Sequence, residues 1–507
     1  MANVKISELP LATSPLDSSV EIPVVQGGVT KRAGVATTGY LQAGTSAALR
    51  TAQDKMRDWV AVEDFGAVGD GVTDDTAAIQ AAFNTGWNVN CGSQRKTYRI
   101  TNTLVMTATN QQLDMRQSVL NLDDATGLLS HIRVGDNITQ SNGIAINNII
   151  FTRTQVATAG AAIFANFVGV FTVQNCRVFG NDRIWRGIFI QRGLVCRILD
   201  NYIQNTVAQG IFLQGTGTGI NATNDIKITG NRIEYTGGEG LSTYDFTEGL
   251  YVRNNIFFAI ASAAVYLDAS AKVNALVSFK FEGNDYDSIG GGSVFYVSKV
   301  SNVTMADSWF SNNAGTDVRI ESDADSVVIN CGQWYTSPGQ IGIQIAGTDV
   351  NITGIQMLGG AQGIVLKSTA ARVLIDGNTI RNMTSIAVNA FEGPTDITIG
   401  DNAFGNNAAD VTTGFVSPTV ASADPLPLLG GSNVYNVTGT TNFGAISNGY
   451  AGRTVTLIFS DVLTVFTSVG GVSTVVLDAG ANFTTAADNT LTLAHNGTRW
   501  YEIGRKV

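Results

Sequence analysis

Between about Asn175 and Phe404 the sequence repeats itself. One apolar or aromatic residue recurs in a matching setting at Val178, Ile203, Ile233, Phe257, Tyr286, Phe310, Trp334, Met357, Ile380 and Phe404, in steps of 23 to 30 residues. Two positions earlier stands an asparagine in many periods: Asn201, Asn231, Asn255, Asn284, Asn378 and Asn402. A second run follows many of them, as in Gly187-Ile188-Phe189-Ile190, Gly210-Ile211-Phe212-Leu213 and Ala264-Val265-Tyr266-Leu267, and a third alternating run precedes several, as in Ile226/Ile228 and Phe279/Phe281. Three short strands per period, separated by Gly, Asn, Asp and Thr, predict a solenoid.

The fold class expected is all-β, a right-handed parallel β-helix. Each coil supplies three strands too short to bury a face alone. Stacking coils about 4.8 Å apart buries a continuous core. Period-2 alternation turns one set of side chains inward and frees the other. The asparagines are expected to stack as a ladder at a bend. Insertions near 216–222 and 269–275 lengthen two periods, and loops of this kind often build a binding site on a solenoid.

Composition narrows the function. The chain has 507 residues, more than one ordinary core holds, with 56 glycines and only 14% charged residues. Its net charge of −10 and lack of a basic cluster argue against nucleic acid. Four scattered cysteines, Cys91, Cys176, Cys196 and Cys331, lack metal-ligand spacing and read as free thiols of a chain made in a reducing cytoplasm. Two histidines, His131 and His495, leave little for a His-based metal site or a Ser-His-Asp triad. No secretory signal and no long apolar run are seen, so membrane insertion is not expected.

Residues 1–35 alternate strand-like pieces with Pro, Ser and Gly turns, too little for an independent core. Their "KISELP … VVQGG.TKR" pattern resembles the N-terminal virion-anchoring segments of phage tail proteins. In residues 36–61, Ala48, Leu49, Ala52, Met56 and Val60 predict a short amphipathic neck helix or linker. Residues 62–82 read VEDFGAVGDGVTDDTAAIQAA: a tight turn at Asp70-Gly71, then a helix start at Asp74 or Asp75 with Thr76. Ala78, Ile79, Ala82 and Phe83 make the apolar face of that helix, suited to cap the exposed end of a β-helix. The motif resembles the start of pectate-lyase-like β-helix domains in phage tailspikes and capsule depolymerases, and the resemblance implies a structural role for Glu63, Asp64, Asp70, Asp74 and Asp75. The β-helix is expected over 62–417, with regular coils from about 170 to 415. Prolines 418, 425 and 427 suggest a linker over 418–431. Six alternating runs in 432–507 predict a small β-sandwich or prism, and the ending "LTLAHNGTRWYEIGR" resembles C-terminal domains of other phage tail proteins, where it would cap the far end and help trimerise.

Taken along the whole chain, the resemblance is to phage tailspikes. It implies a homotrimer, made in the host cytoplasm and carried on the virion tail, joined to a tail, baseplate or adaptor protein through residues 1–35. It implies binding of a bacterial surface polysaccharide, capsule or O-antigen, and in many members cleavage of it. Glycoside hydrolysis needs two carboxyl groups, about 5–5.5 Å apart for retention and about 6.5–9.5 Å for inversion, and stacked coils supply such separations. Coil 223–248 is the richest in acids. Asp245 follows the run ending at Thr243 and Asp268 follows the next coil's run ending at Leu267; these two are the expected adjacent-coil pair, with Glu239 and Glu248 as further catalytic candidates. Glu239 aligns with Gln209 and Arg186, which predicts a polar column. Trp185, Tyr235, Tyr244 and Tyr266 offer flat faces for sugar rings, with Tyr266 equally able to face the core. Asp182, Glu234, Asp287 and Glu321 are secondary candidates, although acids at strand ends also serve as solvated turn residues. No metal ligands and no cofactor are expected. A lyase would use a basic residue or tyrosine beside an acidic sugar, with Arg183, Arg186 and Arg192 as a uronate clamp, but no Asp-rich calcium loop supports it. Outside enzymes the rival is a purely adhesive tailspike; a secreted cellular pectinase fits the N-terminus poorly.

Overall fold

The computed structural model describes residues 21–26, 28–34, 39–92, 94–268, 278–413, 419–428, 433–468 and 470–507. Strands Glu21–Gln26 and Val29–Gly34 pair as an antiparallel hairpin. The neck helix is shorter than expected: Leu49 lies in strand Leu49–Thr51, paired with Gly39–Leu41, and only Ala52–Met56 is helical. Thr51 caps that helix by accepting from the Asp54 N–H at 2.9 Å. Of the predicted apolar face, Leu49 and Met56 are exposed, whereas Val60 is buried in the core of the first coil.

The solenoid starts at strand Trp59–Ala61, which pairs in parallel with Asn88–Asn90. The capping helix follows at Thr76–Asn84 and buries Ile79, Ala82 and Phe83 against the first coils. All five acids of this motif hold backbone or neighbours. Asp75 accepts from the N–H groups of Val68 and Gly69, Asp70 from those of Val72 and Thr73, Asp74 from Thr76 and Thr101, and Asp64 from Ala61. Glu63 takes the Tyr98 hydroxyl at 2.6 Å and the Gly92 N–H at 3.0 Å.

From Trp59–Ala61 to Ala409–Thr413, thirty-eight strands among the described residues form one continuous parallel stack. The repeat residue is in register from coil to coil throughout: Val178, Ile203, Ile233, Phe257, Tyr286, Phe310, Trp334, Met357, Ile380 and Phe404 face one another in sequence. The first nine are buried, while Phe404 lies near the end of the stack and is partly covered. Aromatic members stack on one another, with ring centroids of Phe310 and Trp334 4.4 Å apart.

The asparagine ladder forms at the bend before this column. Asn255 donates to Ile228 O and to Asn284 Oδ1, and its own Oδ1 accepts from the Asn231 backbone N–H at 2.9 Å. Each rung satisfies buried groups of the preceding coil, which the tight bend would otherwise leave unpaired. Asn255→Ala therefore orphans a buried N–H and a buried carbonyl, and is expected to cost about 3 kcal/mol. Asn402→Ala, on a partly exposed rung, is expected to cost less; denaturant unfolding midpoints of the two variants check the order.

The expected linker is partly a structured piece of the C-terminal domain. Strand Thr419–Ala421 pairs in parallel with Val434–Thr438, and Val420, Leu426 and Leu428 enter a second core with Tyr435, Leu457, Phe459, Leu491, Leu493 and Trp500. Alternation in this stretch is too short to be visible between prolines. The six runs expected over 432–507 all contain strands, five of them in a six-stranded sheet with Thr419–Ala421. The remaining run, at Thr464–Val465, pairs with Phe483–Thr484.

Candidate functional site

The second strand of each coil presents an outward face on which the sequence candidates converge. In strands Ile188–Leu194 and Ile211–Gln214 the flanking Ile and Leu residues are buried, and Phe189 and Phe212 stand between them in mutual register. Successive coils carry Phe164, Phe189, Phe212, Ser242, Tyr266 and Tyr296 at this position. Tyr266 thus points outward, with Val265 and Leu267 in the core. Ser242 interrupts the aromatic column. Tyr244 repairs it by leaning across the gap, its ring 5.5 Å from Phe212 and 5.6 Å from Tyr266. The result is a continuous stack of six rings, ending in Tyr266 and Tyr296 with centroids 4.8 Å apart and planes nearly parallel. Ser242 is fully covered beneath it.

The predicted polar column runs beside the rings. Arg186 Nε donates to Gln209 Oε1 at 2.7 Å, and Gln209 Nε2 donates to Glu239 Oε2 at 2.9 Å. Gln209 is an amide relay between a cation and an anion one coil away on each side. The Arg186 guanidinium also lies over Phe212 at 4.7 Å, which fixes it against the ring stack. Burial pushes the Tyr244 and Tyr266 phenols up, and nearby Glu239 and Asp268 add to the effect, taking Tyr266 to about 12. Both phenols are therefore protonated hydrogen-bond donors at neutral pH, unsuited to act as bases.

The expected acid pair needs one correction. Thr243 faces Leu267, so the residue opposite Asp268 is Tyr244, not Asp245. Asp245 lies one residue further on, at a left-handed backbone position (φ 56°) that ends the strand. Counting Gly/Asn boundaries in sequence cannot see that extra residue. One strand spacing and one residue of offset still leave the two Cα atoms only about 6 Å apart. Asp245 accepts from Gln214 Nε2 at 3.0 Å. The coil of Asp245 turns the corner in two residues, whereas the preceding coil carries the 216–222 loop, with a 3-10 turn at Gly219–Asn221. The next coil's insertion, 269–275, falls outside the described residues. Asp245 therefore sits on the short coil between two longer ones.

The remaining candidates lie elsewhere. Glu248 belongs to the next strand, Thr247–Arg253, where it faces Asn224 past the corner. Tyr235 packs edge-on against Phe258 at 5.6 Å, away from the ring stack. Trp185 is half-buried just before Arg186, and its carbonyl holds the Ala208 N–H. Glu234 is buried and taken up by the Tyr202 hydroxyl and Arg232. Asp287 accepts from Ser288 and Asn312, Glu321 pairs with Arg319, and Asp182 is an exposed turn residue. The three arginines do not form one clamp: Arg183 donates to Thr154 O, Arg186 to Gln209, and Arg192 to Asn166 and Asn137. Sequence reasoning missed Phe189, Phe212, Gln214 and Tyr296 as parts of this face, although alternation in the second-strand runs marks three of them as outward. Among the described residues no group of three or more His, Cys, Asp or Glu is placed to hold a metal ion.

Two family models match parts of the chain: rhamnogalacturonase A/epimerase, pectate lyase-like, over residues 59–101, and the right-handed β-helix region over residues 128–255. The chain is a right-handed parallel β-helix with a pectate-lyase-like beginning. Similar solved structures include pre-mature bacteriophage phi29 gene product 12 (13% identity, 79% of this chain and 63% of that one, TM-score 0.50). Others are tailspike protein 3 of bacteriophage CBA120 (12%, 77% and 71%, 0.47) and the A-module of the Azotobacter vinelandii mannuronan C-5 epimerase AlgE4 (14%, 70% and 97%, 0.44). At these identities the likeness is one of fold. No curated protein matches the sequence.

Proposed function

We propose that this chain is a phage tailspike that binds a bacterial surface polysaccharide on the second-strand face and cleaves it by glycoside hydrolysis. The observation that carries the reading is the meeting, on one outward face, of a six-ring stack, the Arg186–Gln209–Glu239 column and the neighbouring-coil acids Asp245 and Asp268. The half-exposed tyrosines supply apolar faces for sugar rings and phenolic donors for their oxygens. Arg186, Gln209 and Glu239 orient hydroxyl or acetamido groups. Asp245 and Asp268 take the two carboxyl roles, one protonating the departing glycosidic oxygen and the other attacking or activating water. The protonated state of Tyr244 and Tyr266 favours hydrolysis over a tyrosine-based elimination. The N-terminal and capping motifs support the virion setting, in which residues 1–35 join the tail and three chains assemble.

The test is incubation of the purified protein with a panel of capsular and O-antigen polysaccharides. Shortened chains with new reducing ends and no unsaturated-sugar absorbance are the expected products. An unsaturated product would replace hydrolysis by elimination, and binding without cleavage across the panel would leave an adhesin.

A further inference from the structure

A second face of the solenoid carries a cleft that the reading above does not use. It has a volume of about 550 Å³ and lies at the corner between the third strand of one coil and the first strand of the next, lined by Gln117, Asn148, Asn175, Arg177, Tyr202 and Arg232 among others. The corner residues Asn148, Asn175 and Asp200 all adopt left-handed backbone (φ 57°, 54° and 54°). This geometry folds the chain back at each coil and leaves a channel beside the asparagine ladder. On the first strands, Arg177, Tyr202 and Arg232 occupy one outward column on three successive coils. Their Cα atoms are therefore spaced about 4.8 Å apart, the two arginines about 10 Å from each other across the tyrosine.

The hydrogen bonding divides this lining into fixed and available groups. Tyr202 donates to Glu234, and Arg232 Nε donates to the same carboxylate at 2.5 Å. Gln117 Nε2 donates to the Asn175 carbonyl at 2.9 Å, and Asn148 Nδ2 to Asp114 at 3.1 Å. Among the described residues the Asp200 carboxylate accepts only a long 3.4 Å contact from Gln174. Arg177 is exposed, and among the described residues its guanidinium has neither an ion pair nor a hydrogen bond. Glu234 already neutralises Arg232. The uncommitted planar fork of Arg177 matches a carboxylate, and the remaining N–H groups of the amides together with the Asp200 carboxylate match the hydroxyls of the ring that carries it.

We infer that this cleft is a second, non-catalytic sugar site that takes a carboxylated sugar unit, its carboxylate on Arg177 and its hydroxyls on the amides of Gln117, Asn148 and Asn175. The inference rests on the polysaccharide-binding reading and narrows its ligand to an acidic glycan. A site on a different strand face from Asp245 and Asp268 would hold the polymer while another stretch of it is cut.

The experiment uses the full chain, wild type and the Arg177→Ala and Arg177→Glu variants, with hexuronate oligomers and a neutral polysaccharide of similar length as probes. Binding is followed by calorimetry and oligomeric state by mass photometry. The expected result is wild-type binding of the hexuronate that weakens with salt, a loss of about tenfold or more in Arg177→Glu, a smaller loss in Arg177→Ala, and unchanged affinity for the neutral polymer. Three results overturn the inference. In the first, wild type binds the neutral polymer but not the hexuronate, which leaves the tailspike reading standing. In the second, all three proteins bind the hexuronate equally. In the third, the variants lose binding only because they fall apart into monomers, which makes the corner an interface between copies. Failure of wild type to bind any glycan removes the parent reading together with this one.

Discussion

Asp268→Asn is expected to leave polysaccharide binding within a few-fold of wild type and to slow cleavage by at least about 100-fold, the usual contribution of a positioned acid or base. Asp245→Asn should do the same, and the double variant should lose little more than either single one, because paired groups act as a unit. Two carboxyl groups can share one glycosidic bond only if they come from neighbouring coils near the same strand end. On the second-strand face that condition selects Asp245 and Asp268. Glu239 stands on the same coil as Asp245 but two residues ahead of strand Leu241–Tyr244, committed to Gln209. Glu239→Gln should therefore weaken binding more than turnover. With the acids one coil apart, the first product is expected to retain the anomeric configuration, which NMR of the nascent sugar reads directly. Inversion, or full activity in Asp268→Asn, would sink the assignment. Glu248→Gln serves as the comparison: it lies past the corner on the next strand and should cut at the wild-type rate.

The fold was legible because a solenoid writes its period into the sequence. The ten repeat residues chosen from sequence face one another coil by coil, and the asparagines two positions earlier form the ladder. The column Arg186–Gln209–Glu239 could be read for the same reason: all three residues immediately precede the inward glycine of the second strand, at Gly187, Gly210 and Gly240. Legibility failed where the chain leaves regular strand. Asp245 was placed one residue out because a left-handed residue ends the strand without altering the composition of the turn. Glu234 looked like one more free acid until the Tyr202 and Arg232 side chains of the same face closed over it. The neck showed helical spacing, yet strand pairing between Gly39–Leu41 and Leu49–Thr51 took its first half. Periodicity describes what a segment can do alone, and neighbouring backbone decided otherwise.

Asp317→Asn is expected to raise stability at pH 8 by several kcal/mol, and by only about 1.5 kcal/mol at pH 5. Asp317 lies in strand Thr316–Ile320 with no exposure to solvent, held by Asn313 Nδ2 at 2.9 Å and Thr336 Oγ at 2.8 Å. Burial outweighs those two donated bonds and pushes its carboxyl from 3.8 up to about 7. The folded chain therefore keeps a proton that the unfolded chain has released, so this group's contribution is complete below pH 3.8 and is lost as pH rises through 7. A shift of that size corresponds to about 4 kcal/mol. His131 works in the opposite direction. It is wholly buried, with Nε2 on the Thr152 carbonyl, and burial pushes it from 6.5 down to about 4. Its contribution is present above pH 6.5 and is lost as pH falls through 4. Between about pH 4 and 6.5 the two slopes cancel, and wild type should show a nearly flat stability from this pair, with a small decline between about pH 6.5 and 7 and no further slope above it. Asp317→Asn keeps the shape and the hydrogen-bonding capacity of the site without the charge. It should uncover the histidine slope, so that the variant gains stability from pH 5 to 6.5 and holds it to pH 8. Denaturant midpoints measured at half-unit intervals from pH 5 to 8.5 separate the two groups. An Asp317→Asn protein less stable than wild type at pH 8 would mean that the buried carboxylate is ionised and favourably held, and the account of this interior acid would fail.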